Sequence, residues 1–161
     1  MGAKAVEVTL LDRQLAPDEV LHVSTAIYSH MTMMGAKGHP LAPFVSFGNI
    51  HRTLETANRS GYLDVYVLGE RIIGVIMYDF GNLWWANGAC LKEMIVFTVD
   101  PDFVGFGRIA LERLEELAVE HDCVLIETAG ALAEDKKLME NLYTKKGGYQ
   151  VTYPTFVRIV S

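Results

Sequence analysis

Long apolar runs, cysteine pairs and an excess of positive charge are all missing from this sequence, and each absence removes a class of protein. The apolar runs are of strand length, far short of the roughly 20 residues that a membrane span needs, so no membrane partner is expected. The start, MGAKAVEV, has no apolar signal core, and Val6 stands where a myristoylation site wants serine or threonine. A soluble protein that stays in the cytoplasm where it is made is the expectation. Cys90 and Cys123 form no CxxC and have apolar neighbours, which suits small core residues rather than a disulfide. The histidines, His22, His30, His39, His51 and His121, show no HxxxH or HExxH spacing, so no metal is expected. Lys and Arg number 14 against 20 Asp and Glu, a net charge of −6. That balance opposes a nucleic-acid surface, which needs clustered cations, and favours steering of a cationic amine.

What is present is a chain of 161 residues, half of them apolar, enough for one domain over 1–161 with a real core. AVEVTLL alternates as a strand. Ala16-Pro17-Asp18 opens a helix whose stripe is Val20, Val23, Ile27 and Met31. MMGAKGHPLAP reads as loop, and a second helix runs from about Phe44 to Asn58. YLDVYVLGERIIGVIMYDF is a hairpin turning at Gly69-Glu70. KEMIVFTV is nearly all apolar and so central in a sheet. The helix from Gly107 to about Asp122 sets Ala110, Leu114, Leu117, Ala118 and His121 on one face. CVLIET is a strand, EDKKLMENLY a short helix stopped by Gly147-Gly148, and YQVTYPTFVRIVS closes with one kinked strand or two. The order β-α-α-β-β-β-α-β-α-β(-β) gives a mixed α+β fold.

Between the central strand and its following helix lies VDPDFVGFGRIA, Val99 to Ala110. A strand, a glycine-bearing turn and a helix start present free N–H groups and the positive end of a helix dipole, an anion site without side-chain charge. Gly105 and Gly107 remove Cβ atoms where a diphosphate would approach. The other reading is an ordinary strand–helix junction with glycines for backbone reasons. Gly105 to Ala110 also fits the GxGxxA dinucleotide pattern, with Glu127 about 20 residues on. Against that oxidoreductase reading, five residues intervene after the strand, and too little chain remains for a doubly wound sheet.

The whole layout resembles the GNAT superfamily of acyl-CoA-dependent N-acetyltransferases. Val99-Asp100-Pro101 through Ile109 is similar to that family's V-x-P-x-x-(Arg/Gln)-G-x-G-x-(Gly/Ala) pyrophosphate turn, KEMIVFTV to the strand before it, and LYTKKGGY to its L-Y-x-x-x-G-(Phe/Tyr) signature with one residue added. Trp84-Trp85 ahead of a Glu-bearing strand resembles members encoded by tailed phages, which would make the location the host cytoplasm. Val104 replaces the favoured Arg or Gln and Ile109 the favoured Gly or Ala; Arg108 is placed to restore a positive charge. The resemblance implies a mostly antiparallel sheet splayed at its middle, flanked by about four helices. It also implies acetyl-CoA as co-substrate, its pyrophosphate on Val104, Gly105, Phe106, Gly107, Arg108 and Ile109, and a free strand amide near Phe97 to Val99 for the thioester carbonyl.

Acetyl transfer to an amine then needs a base and an acid. Tyr143 is the candidate acid, since a phenol stays protonated at neutral pH and can supply a thiolate; otherwise its ring packs at the sheet edge with the hydroxyl in water. Glu93 is the candidate base, the one acid in its strand, so burial would raise its pKa; otherwise it faces water beside Lys92. Glu127 is the reserve. The acceptor pocket is expected from MTMMGAKGHP, the Asn82–Ala89 loop and VTYPTF. The reaction implied is direct attack in a ternary complex by an amine of a small molecule or protein, and the alternative is a silent GNAT-fold module binding acyl-CoA or a protein partner. A homodimer would use the last strand's edge or the tryptophan loop.

Overall fold

The computed structural model describes residues 5–85, 87–128, 136–151 and 158–160. The chain runs β1 (Val8–Leu10), α1 (Pro17–Ala36), a 3-10 turn (Ala42–Phe44), α2 (Phe47–Ser60), β2 (Leu63–Leu68), β3 (Arg71–Asn82), β4 (Ala89–Thr98), α3 (Phe106–Glu120), β5 (Cys123–Glu127), α4 (Lys136–Asn141) and a π-helical turn (Leu142–Lys146). The strands form one sheet in the order β1-β2-β3-β4-β5. All neighbours are antiparallel except β4 and β5, which are parallel because α3 lies between them in sequence. This is the mixed, mostly antiparallel sheet expected, and it excludes a doubly wound dinucleotide fold.

Helix ends follow local chemistry. Glu19 reaches back to the Ala16 N–H at 2.8 Å, with Pro17 at the first helical position. Ser46 accepts from the Asn49 N–H at the start of α2, which ends at left-handed Gly61. The core lies on both faces of the sheet. On one, Val20, Val23, Ile27 and Leu54 from α1 and α2 cover Val65, Val75, Ile95, Phe97 and Val99. On the other, Phe106, Ala110, Leu114 and Leu117 from α3 cover Tyr66, Ile73, Ile76 and Leu91. Phe106 fits because β3 has Gly74 beneath it: a Cβ there would lie 2.5 Å from the ring. Cys90 is buried and Cys123 half-buried, both as free thiols.

Two readings are corrected. MMGAKGHPLAP is not all loop, since α1 continues through Gly35 to Ala36. Gly35 is there for close approach: a Cβ would lie 2.7 Å from that of Ala42 as the chain returns. His121 does not extend the apolar face of α3; it caps the helix, exposed, with its ring on Phe80 at 4.3 Å. Of the closing strand, 149–151 and 158–160 carry no strand structure, and 152–157 lie outside the described residues.

Candidate active site

One irregularity in β4 builds the site. Met77 pairs with Ile95 but Tyr78 with Glu93, so Met94 is an extra residue. Such a bulge reverses which face the following side chains take. Ile95, Phe97 and Val99 point to α1 and α2, while Glu93 lies opposite Tyr78, which with Leu91 belongs to the α3 face. The strands fork at the same place: β5 pairs with β4 only as far as Lys92 opposite Glu127. Glu93 is the first residue beyond the fork.

The register also decides which amides are available. Val99 N–H donates to Ile73 C=O at 2.8 Å, so by the alternation of antiparallel pairs Phe97 and Ile95 also turn their amides to β3. Val96 and Thr98 turn theirs the other way. The Val96 amide faces the Glu93 carboxylate closely enough to lower its pKa. Thr98 therefore presents its amide to the side where, among the described residues, no strand follows. Sequence alone narrows this only to the stretch from Phe97 to Val99, because the bulge that sets the parity is invisible in an apolar run.

Tyr143 meets Glu93. Its hydroxyl donates to Glu93 Oε2 at 2.9 Å, and both residues are 8% exposed. Neither side chain faces water. The approach depends on the π-helical turn, in which Gly147 N–H donates to Leu142 C=O, 3.2 Å, and Tyr143 C=O, 3.1 Å. A π turn takes up one extra residue in a helix, which is how the added residue in LYTKKGGY is absorbed. Tyr149 N–H then donates to Tyr143 C=O at 3.1 Å, and the two rings meet edge to face at 5.1 Å. Gly147 permits this, since a Cβ there would lie 2.8 Å from the Tyr149 ring and 2.9 Å from the Tyr143 carbonyl.

Burial drives the electrostatics. Desolvation lifts the Glu93 carboxyl above its ordinary range, partly offset by the Tyr143 hydroxyl and the Val96 amide. Burial, then the charge of Glu93, holds the Tyr143 proton more firmly than in a free phenol. Glu127 is exposed at the end of β5, opposite Lys92.

The turn before α3 divides into open and filled parts. Gly105 is left-handed (φ 97°), with nothing within 4 Å of a built Cβ, and α3 has no side-chain cap, leaving its first-turn amides available. Val104 is 89% exposed and Arg108 exposed. Phe106 points into the core, and Ile109 packs partly buried on the same cluster. Gly107 does not open space for a ligand as expected: a Cβ there would meet Leu142 Cδ2 at 2.6 Å. Asp100 is engaged by Arg71 at 2.9 Å and accepts from the Asp102 N–H at 3.0 Å, which shapes the turn. The open Gly105 corner and uncapped amides fit a diphosphate. Among the described residues no cluster of His, Cys, Asp or Glu could hold a metal.

The segments expected to shape an acceptor pocket scatter. MTMMGAKGHP is helical to Ala36, Trp84 and Trp85 stand exposed between β3 and β4, and VTYPTF beyond Val151 lies outside the described residues.

A forked, mostly antiparallel sheet with α3 beneath the fork is a GNAT-like fold, and solved structures match it along nearly the whole chain. A GCN5-related N-acetyltransferase from Ralstonia eutropha JMP134 is 15% identical, with 95% of this chain and 99% of that one covered and a TM-score of 0.67. A Clostridium difficile 630 protein described as a possible acetyltransferase is 13% identical, covering 96% and 98%, TM-score 0.68. A predicted acetyltransferase from Clostridium acetobutylicum, solved with acetyl-CoA, is 15% identical, covering 95% and 96%, TM-score 0.61. No protein-family model and no curated protein sequence matches the chain.

Proposed function

We propose that the chain transfers an acetyl group from acetyl-CoA to a primary amine, of a small molecule or a protein, by direct attack in a ternary complex. The observation that carries this is the buried Tyr143–Glu93 hydrogen bond at the fork. A carboxylate and a phenol in contact are a base and an acid that can work as one unit. Glu93, its pKa raised by burial, takes the proton of the incoming ammonium. Once protonated, Glu93 can donate to the Tyr143 oxygen instead of accepting from it. That reversal frees the Tyr143 proton for the departing sulfur, while the attacking nitrogen sheds its remaining extra proton to solvent as the amide forms. The Gly105–Arg108 amides would hold the diphosphate, and the Thr98 amide would polarise the thioester carbonyl.

Supporting this reading are the GNAT fold, the acetyl-CoA in a neighbour's structure and the open Gly105 corner. The decisive experiment mixes the protein with acetyl-CoA and a panel of polyamines, amino acids, aminoglycosides and lysine peptides, and follows free thiol. Saturable thiol release with one amine class is the expected result. Leu142 seated against Gly107 favours a second reading, a module that binds acyl-CoA or a protein partner without turnover. Acetyl-CoA binding with no thiol release from any amine would select it. Self-association is proposed to use the exposed Trp84 and Trp85 (94% and 63% exposed); light scattering on Trp84→Ala would read it.

A further inference from the structure

The turn proposed to hold a diphosphate is acidic. Val99 to Ala110 carries Asp100 and Asp102 against one cation, Arg108. Asp100 is the greater obstacle, because it cannot turn away. Its N–H donates to Ile73 C=O at 3.3 Å, its C=O accepts from Phe103 N–H at 3.0 Å, and its Oδ1 accepts from Asp102 N–H at 3.0 Å. Its side chain is 14% exposed, so water screens it poorly, and a fixed carboxylate here opposes an anionic ligand. Arg71, at the start of β3, answers that charge: its Nη1 lies 2.9 Å from Asp100 Oδ2. Arg71 is itself 62% exposed, so the pair adds little to stability and its effect falls on the charge of the turn. Both residues line a cavity of about 500 Å³ with Glu70 and with Asp18, Glu19 and His22 of α1. Val99 of the same cavity packs under α1, whereas Gly105 opens α3 on the opposite face. Arg71 therefore acts on a ligand at Gly105 through Asp100, not by touching it.

Resting on the acyl-CoA reading, we propose that Arg71 is a positioning residue for the coenzyme. By pairing with Asp100 it neutralises the fixed acid of the turn, and so lets the Gly105–Arg108 amides accept the diphosphate.

Calorimetry with CoA on Arg71→Gln should show affinity about fivefold below the parent's at low salt, the size of one like-charge contact near water. Relative to the parent, that loss should fade toward about 1 M salt, where the screening length is only about 3 Å. Arg71→Lys keeps the charge and should keep most of the affinity. Asp100→Asn removes the charge but leaves an acceptor for the Asp102 N–H; with it already present, Arg71→Gln should cost nothing further. Unchanged CoA affinity in Arg71→Gln, a loss that salt leaves intact, no rescue by Arg71→Lys, or a loss that persists beside Asp100→Asn would each overturn the assignment. A parent protein that binds no CoA species would instead overturn the acyl-CoA reading, and this inference with it.

Discussion

At the scale of single residues, Glu93 and Tyr143 make predictions that stability and rate test separately. Burial raises the Glu93 pKa in the fold, so the folded chain keeps a proton that the unfolded chain has released. Stability from this group is full below the ordinary carboxylate value and is lost as pH rises through the raised one. Glu93→Gln keeps an acceptor for the Tyr143 hydroxyl and removes the titration. Thermal melts between about pH 4 and pH 8 should show the parent falling relative to the variant, with the variant the more stable at neutral pH and inactive. A variant that tracks the parent across that range would mean that Glu93 does not titrate as its burial requires. Tyr143→Phe should lower kcat about 10²- to 10³-fold, with KM for acetyl-CoA nearly unchanged. Steady-state kinetics at saturating amine would show it. Both residues could be picked from sequence, one as the lone acid in an apolar strand and the other from the tyrosine signature. Their contact could not, because 50 residues separate them and the bulge at Met94 decides which face Glu93 takes.

Elements raise the question of which glycines matter. Gly107→Ala brings a Cβ to 2.6 Å from Leu142 Cδ2, the far end of a flexible side chain that can turn aside. A loss below about 1 kcal/mol is expected. Gly74→Ala sets a Cβ at 2.5 Å from the ring of Phe106, which is 1% exposed and hemmed in by α3 and Tyr66. That ring has nowhere to go, so about 3 kcal/mol should be lost, and Phe106→Leu in the same chain should restore part of it. Urea unfolding of the three variants gives the comparison. The sequence flags Gly107 through its motif and passes over Gly74, which sits unremarked in a strand pattern. The reverse weighting comes from packing: a glycine in a conspicuous turn faces a movable leucine, whereas one in mid-strand admits a buried ring. The helical extension through Gly35 escapes notice for the same reason, since its cause is a contact with Ala42 seven residues away.

For the molecule as a whole, the question is what fixes α3 to the sheet so that its first turn stays at the fork. Apolar packing under α3 supplies the bulk of the holding force, but it is non-directional and tolerates sliding along the strands. Direction comes from one buried ion pair. Arg113 Nε donates to Asp64 Oδ2 on β2 at 2.7 Å, and the Tyr78 hydroxyl on β3 donates to Asp64 Oδ1 at 3.2 Å. Arg113 and Asp64 side chains are 16% and 12% exposed, so this pair is largely desolvated. Removing one partner strands the other in the interior. Arg113 still has Glu116 and Glu120 within 3.3 and 3.7 Å, which softens the effect. Asp64→Asn should therefore lower unfolding stability by about 3 kcal/mol, at the lower end for a broken buried pair. If the pair also sets the position of α3, the variant should weaken acetyl-CoA binding at temperatures where it remains fully folded, since the amides at Gly105–Arg108 move with the helix. Replacing both partners, Asp64→Leu with Arg113→Met, should recover most of the stability, as apolar substitutes for buried ion pairs do. Binding should stay weak in that double variant, because hydrophobic contact restores energy without restoring register. Denaturant unfolding and calorimetry on the same samples decide the matter: recovery of both quantities together would show that packing alone positions the helix.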